Sequence, residues 1–197
     1  LVIGGVAMAY AGVSRPASGV EHYFSHIWDM RGLEFGTRVD LHGIQCAMAT
    51  MKSVKLYEAV KTVLPDKQKA CESVEAFDYS SWSEQLLSFL GNSGKTMIMQ
   101  EQKECKYDKS THPARFQRIS DNWDAILKII EEELPSVDAL AQILDTVGIS
   151  QDLNTIDVDR KCAQLTFKAT KDIRDKYVLS RLAWDLGILD ELAEELE

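Results

Sequence analysis

A spacing of three to four residues between apolar side chains, clearest at Ile44, Met48, Met51, Val54, Tyr57, Val60 and Val63, limits what this 197-residue chain can become. Side chains at that interval share one face of an α-helix, whereas a half-buried strand alternates every second residue. No stretch shows convincing two-residue alternation bounded by turn residues, so the fold class predicted is all-α, as a single helical domain over residues 1–197.

Turn and capping signals divide the chain. Pro16 stops any helix entering from upstream, and Ser18 is placed to cap a helix predicted over about 19–29. Gly32 and Gly36 make 30–37 a tight connection, and a long helix then runs from 39 or 40 to about 63. Leu64, Pro65 and Asp66 end it and open a shorter one to about 76. Ser81 and Glu84 have capping-box spacing before a helix over 82–90. The polar run 101–113 reads as a solvated face or loop with His112 at the surface. Further helices are predicted at about 114–134, 136–147, 158–170, 171–186 and 189–196, with Pro135, Gly148 and Gly187 at joints.

The first thirteen residues are apolar on all sides but small, as in a helix buried closely against neighbours. They fall short of the roughly 20 residues of a membrane span and lack the basic start and cleavage site of a signal peptide. The chain opens on Leu1 in the middle of this apolar run, and is read as a piece of something longer.

Three of the four histidines fall between positions 22 and 42. His22 and His26 stand i, i+4 on one predicted helix, which stacks the rings one turn apart on one face. Two imidazoles so placed can share a metal ion, or one can hold a metal while the other faces a substrate. His42 sits in the first turn of the next helix, where the backbone N–H dipoles favour an anion or a metal-bound oxygen.

The run Ser14-Arg15-Pro16-Ala17-Ser18-Gly19, followed by Glu21-His22, Ser25-His26 and later Leu41-His42-Gly43, resembles the metal-site segment of sn-glycerol-1-phosphate dehydrogenases. These belong to a superfamily with glycerol dehydrogenases, iron-type alcohol dehydrogenases and dehydroquinate synthases. A second resemblance, over residues 169–187, is to the C-terminal helix of the bacterial members, with Asp172 and Lys176 as an i, i+4 pair. The resemblance covers about 12–43 and 169–187; no motif matches it over 64–156.

The resemblance implies the helical C-terminal domain of the dehydroquinate synthase-like fold. It implies His22 and His42 as ligands of a catalytic divalent metal (zinc, nickel or iron), and His26 as a catalytic residue in the substrate pocket, assisting proton movement. It implies Arg15 and Ser18 near the phosphate of a small phosphorylated substrate. The reaction implied is reduction of dihydroxyacetone phosphate by NAD(P)H to sn-glycerol 1-phosphate, a step of phospholipid metabolism. The pattern also calls for an aspartate ligand upstream of the first histidine, and no Asp or Glu precedes Glu21.

The sequence holds no Gly-x-Gly-x-x-Gly and no alternation of strands and helices. The resemblance implies NAD(P) binding by an N-terminal nucleotide domain, absent from this chain, so the chain alone is predicted to be inactive. Two other readings stay open: a glycerol dehydrogenase or dehydroquinate synthase-like enzyme of the same superfamily, and a non-catalytic helical interaction module.

The net charge of −9 argues against a nucleic-acid partner or an anionic membrane surface, so a phosphorylated substrate must be met by local cations. Cys46, Cys71, Cys105 and Cys162 are far apart with no Cys-x-x-Cys, which suits reduced thiols in the cytoplasm. Cys46, four residues after His42, could be imagined as a ligand but is read as a small buried hydrophobe. Gly91-Asn92-Ser93-Gly94-Lys95-Thr96 ends like a phosphate loop but has Phe89 where the first glycine belongs, and is read as a helix-ending loop. A homodimer stays open, and the apolar first thirteen residues, if exposed by truncation, would promote artificial association.

Overall fold

The computed structural model describes residues 2–13 and 18–196. Among them every regular element is helical. In chain order these are α1 (Val2–Ala11), α2 (Val20–Phe35), α3 (His42–Val60), α4 (Lys67–Ala76), α5 (Tyr79–Leu90) and α6 (Asn92–Glu104). Then follow α7 (His112–Asp121), α8 (Trp123–Glu133), α9 (Val137–Thr146), α10 (Arg160–Thr170), α11 (Leu179–Asp185) and α12 (Leu189–Glu194). The all-α prediction agrees with this architecture.

Helix α2 is the hub, packing most extensively on α3 and also on α10 and α5. At about 100° per residue its sequence divides into three faces. Phe24 and Trp28 enter one core with Met48, Leu56, Phe116 and Phe167. Tyr23 and Ile27 enter a second with Trp82, Leu90, Tyr107 and Trp184. His22, Ser25, His26 and Asp29 fall on the third face, toward the start of α3. Two apolar faces thus fix the orientation of the histidine face. Trp28 donates its Nε1–H to Thr166 Oγ1 of α10 at 3.2 Å, locking that rotation.

The predicted tight connection at 30–37 is replaced by two more turns of α2, which passes through Gly32 and stops at Gly36. A helical glycine costs about 1 kcal/mol, and the added turns offset that with tertiary bonds. Arg31 donates to the Phe89 carbonyl at 2.6 Å and lies over the Phe89 ring. Gly36 ends the helix in the left-handed region at φ 68°, its N–H on the Gly32 carbonyl, where a side chain would be strained.

Other boundaries moved for identifiable reasons. Ser18 does not cap α2: Gly19 holds the N-cap position, and its N–H is taken by Glu21 Oε1 at 2.8 Å. Helix α5 opens at Tyr79, not 82, because Asp78 caps it by accepting from the Ser81 N–H. The expected helix over 114–134 is two, broken at Asn122, whose side chain bonds back to the Arg118 carbonyl. The phosphate-loop look-alike is a helix junction. A Cβ on Gly94 would lie 2.6 Å from the Leu86 carbonyl oxygen, so that glycine serves the close approach of α6 to α5.

The largest departure is at 171–186, where only α11 is helical. Asp172 and Lys176 do not pair along a helix. Asp172 is buried against Lys171, Trp82 and Tyr107, while Lys176 reaches Ser18. His112, expected at the surface, is 1% exposed and donates its Nε2–H to the Asp185 carbonyl at 2.8 Å. Helix α1, expected to be buried, has Val2, Ile3 and Tyr10 more than 80% exposed. Its apolar side chains point in all directions, and no described element covers them. No helix among the described residues is long and apolar enough to cross a membrane.

Candidate metal centre

The third face of α2 meets the first turn of α3, and three imidazoles converge there. His22 Nδ1 lies 3.1 Å from His42 Nε2. The His26 ring stacks on that of His42, centroids 5.4 Å apart and planes 27° apart, and lies 6.2 Å from the ring of His22. The i, i+4 spacing on α2 and the position of His42 at the start of α3 bring all three histidines to one point.

The His42 ring is held from behind. Its Nδ1 is 2.7 Å from Ser25 Oγ, which accepts from Gln45 Nε2 at 3.0 Å, and the same Gln45 amide donates to Asp29 Oδ1 at 2.8 Å. With the proton on Nδ1 given to Ser25, the Nε2 lone pair faces His22, as a metal-binding imidazole requires. His22 turns its other nitrogen toward Glu21, 4.0 Å away, which likewise leaves Nδ1 free to coordinate. On a tetrahedral ion with bonds near 2.05 Å, two nitrogens stand about 3.3 Å apart. The observed 3.1 Å fits that donor pair.

Two groups of side chains have ligand atoms all within 4.8 Å of one another, His22 with His42 and Cys46, and His26 with Asp29 and His42. Cys46, read from sequence as a buried hydrophobe, is half-buried at the rim of the histidine cluster. Gln45 was not singled out by sequence reasoning, and Ser25 and Asp29 were noted beside the histidines without a role. Their signal was positional: Ser25 and Asp29 lie three residues after His22 and His26, and Gln45 and Cys46 three and four after His42.

Burial, the largest influence, pushes both His22 and His26 below the ordinary 6.5. Glu21 opposes this at His22, while His42 and Lys176 reinforce it; at His26, His42 and Arg174 reinforce it and Asp29 opposes it. Burial also pushes the Cys46 thiol up. The fold therefore favours neutral imidazoles, and protons are taken up first by the unfolded chain. The metal-free protein should keep its full stability above about pH 6.5 and lose stability as pH falls through that value toward the lower folded-state pKa values. Melting temperatures across this range should fall more steeply for the unaltered protein than for His26→Gln. Equal slopes would contradict the burial account.

Of the substrate-side residues expected, Ser18 is described and accepts from Lys176 Nζ, at 2.9 Å through Oγ and at 2.7 Å through its carbonyl. Arg15 lies outside the described residues.

Comparison with known proteins gives a consistent result. A stretch of 55 residues is 46% identical to the glycerol-1-phosphate dehydrogenase [NAD(P)+] of Caldivirga maquilingensis, covering 28% of this chain and 16% of that protein. Over that stretch the chain is similar to a glycerol-1-phosphate dehydrogenase. The enzyme of the same name from Korarchaeum cryptofilum is 53% identical over 51 residues, or 26% of this chain and 16% of its own. That from Halalkalibacterium halodurans is 39% identical over 77 residues, or 39% and 17%. These matches span less than a fifth of each dehydrogenase. No family model and no solved structure matches the chain.

Proposed function

We propose that this chain is the metal- and substrate-binding domain of an NAD(P)-dependent dehydrogenase that reduces dihydroxyacetone phosphate to sn-glycerol 1-phosphate. The observation that carries the proposal is the approach of His22 Nδ1 to His42 Nε2 at 3.1 Å, with His26 stacked alongside. A divalent metal held by His22 and His42 would polarise the substrate carbonyl as a Lewis acid. His26 stands beside the pair, where it can assist proton movement to the carbonyl oxygen as hydride from the reduced nicotinamide adds to the carbonyl carbon. Ser25, Gln45 and Asp29 fix the His42 ring, so this part of the site is set before substrate arrives.

Local charge supports a phosphorylated substrate. Lys176 and Arg174 are close enough to act on the imidazoles of His22 and His26, although the chain as a whole is acidic. Lys176, bonded to Ser18, can receive a phosphate together with it. The uncovered apolar surface of α1 supports a nucleotide-binding domain as its neighbour in the complete enzyme.

Full-length protein assayed with NADH or NADPH should reduce dihydroxyacetone phosphate and leave unphosphorylated dihydroxyacetone almost untouched. Comparable turnover of the two would overturn the phosphate assignment in favour of a polyol dehydrogenase.

A further inference from the structure

We infer that Tyr177 and Lys106 are positioning residues for the phosphate end of the substrate, because together they set the course of the segment that brings Arg174 and Lys176 to the histidine centre. The inference rests on the reading of the substrate as phosphorylated.

Residues 171–178 join α10 to α11 outside any helix, so no continuous helical ladder fixes where the two cations stand. Lys176 Nζ donates to Ser18, four residues before His22, and Arg174 is close enough to His26 to disfavour its charged form. Long, rotamer-rich cations lose freedom when they clasp an anion, so holding their backbone in place beforehand strengthens binding.

Two ties supply that hold. Lys106 Nζ donates to the Arg174 carbonyl at 2.8 Å, and the Tyr177 hydroxyl donates to Asp185 Oδ2 at 2.7 Å. Lys176 lies between the tied positions. Behind the segment the ties are joined: Arg181 donates to the Lys106 carbonyl and stands 3.8 Å from Asp185 Oδ2, which closes a ring through Lys106, Arg181, Asp185 and Tyr177. The anchor of the ring is firm. Asp185 is fully buried at the end of α11 and also accepts from Arg115 Nε at 3.1 Å.

Tyr177 serves this tie rather than the core. The residue is 55% exposed, yet burial of the hydroxyl and the Asp185 carboxylate push its pKa far above the ordinary 10, so it stays a donor. Removing the hydroxyl frees the segment beside Lys176 without opening a core. Asp185 is not stranded by the change, since it keeps both arginines.

Steady-state kinetics of the full-length enzyme, with inorganic phosphate as a competing anion, test this. A cation on the phosphate holds ground state and transition state alike, so its loss falls on KM. Tyr177→Phe should raise KM for dihydroxyacetone phosphate and the inhibition constant of phosphate together by about tenfold, with kcat, KM for the reduced nicotinamide and metal content within about twofold. Lys106→Met should have the same signature, acting through Arg174. Unchanged values in either variant, while the unaltered enzyme prefers dihydroxyacetone phosphate to dihydroxyacetone, would overturn the role of that residue and leave the phosphate reading standing. A parallel loss of kcat and of nicotinamide binding would mark a general loosening of the fold and overturn the positioning role as well. An unaltered enzyme that phosphate does not inhibit, and that reduces both substrates alike, would overturn the phosphate reading and this inference with it.

Discussion

Asp172→Ala is expected to destabilise the fold by about 3–5 kcal/mol. The carboxylate is 1% exposed and accepts from Lys171 Nζ at 2.9 Å, Trp82 Nε1 at 3.1 Å and the Tyr107 hydroxyl. Lys171 is itself 5% exposed and also donates to the Lys168 carbonyl. Alanine would leave a buried ammonium without its counter-charge and two aromatic donors without an acceptor. Each loss carries a desolvation penalty that water cannot relieve inside the packed cluster of Phe77, Trp82, Tyr107 and Trp184. Urea unfolding measures the effect. Combining the change with Lys171→Met should recover part of the loss, since the stranded charge goes with it. A loss below about 1 kcal/mol for Asp172→Ala would contradict this view of the cluster.

His42→Ala should weaken metal affinity by about a hundredfold or more and abolish reductase activity in the full-length enzyme, with little effect on stability. The histidine belongs to both candidate ligand groups and is exposed, so removing it takes away a donor without opening a core. Gln45→Ala should show a milder version of the same defect, about ten- to a hundredfold in affinity, because Gln45 acts through Ser25 on the ring. Gln45 is buried, so part of its cost should also appear in unfolding. Full metal affinity in His42→Ala would place the centre elsewhere.

How far the sequence determined this picture can be seen residue by residue. The histidine face of α2 was legible because helical spacing is local: His22 and His26 need no distant partner to share a face. That His42 could close on the same point was also expected, and its Nε2 lies 3.1 Å from His22 Nδ1. The extension of α2 past Gly32 was not legible, because a local glycine penalty competes with bonds from Arg31 to a carbonyl 58 residues away. The break at 171–178 escaped for the same reason. Helix spacing favours pairing Asp172 with Lys176, but the carboxylate is drawn inward by Trp82 and Tyr107, and the lysine outward to Ser18. His112 was misplaced because its acceptor is a backbone carbonyl 73 residues later. Within the centre, Ser25, Asp29 and Gln45 are ordinary polar residues until α2 and α3 cross, and only the crossing makes them a chain ending on His42. For Cys46, the sequence pattern of a buried small residue and that of a site-facing thiol are identical.

The central claim is that His22 and His42 hold a divalent ion, and the most direct measurement is metal content. Full-length protein, dialysed against metal-free buffer and analysed by elemental mass spectrometry, should retain or take back close to one divalent ion per chain. His22→Ala and His42→Ala proteins, still folded by circular dichroism, should hold none after the same treatment. An unaltered protein that neither retains an ion nor binds zinc or cobalt at micromolar concentration would contradict the account, and the histidine cluster would then be a hydrogen-bonded helix contact.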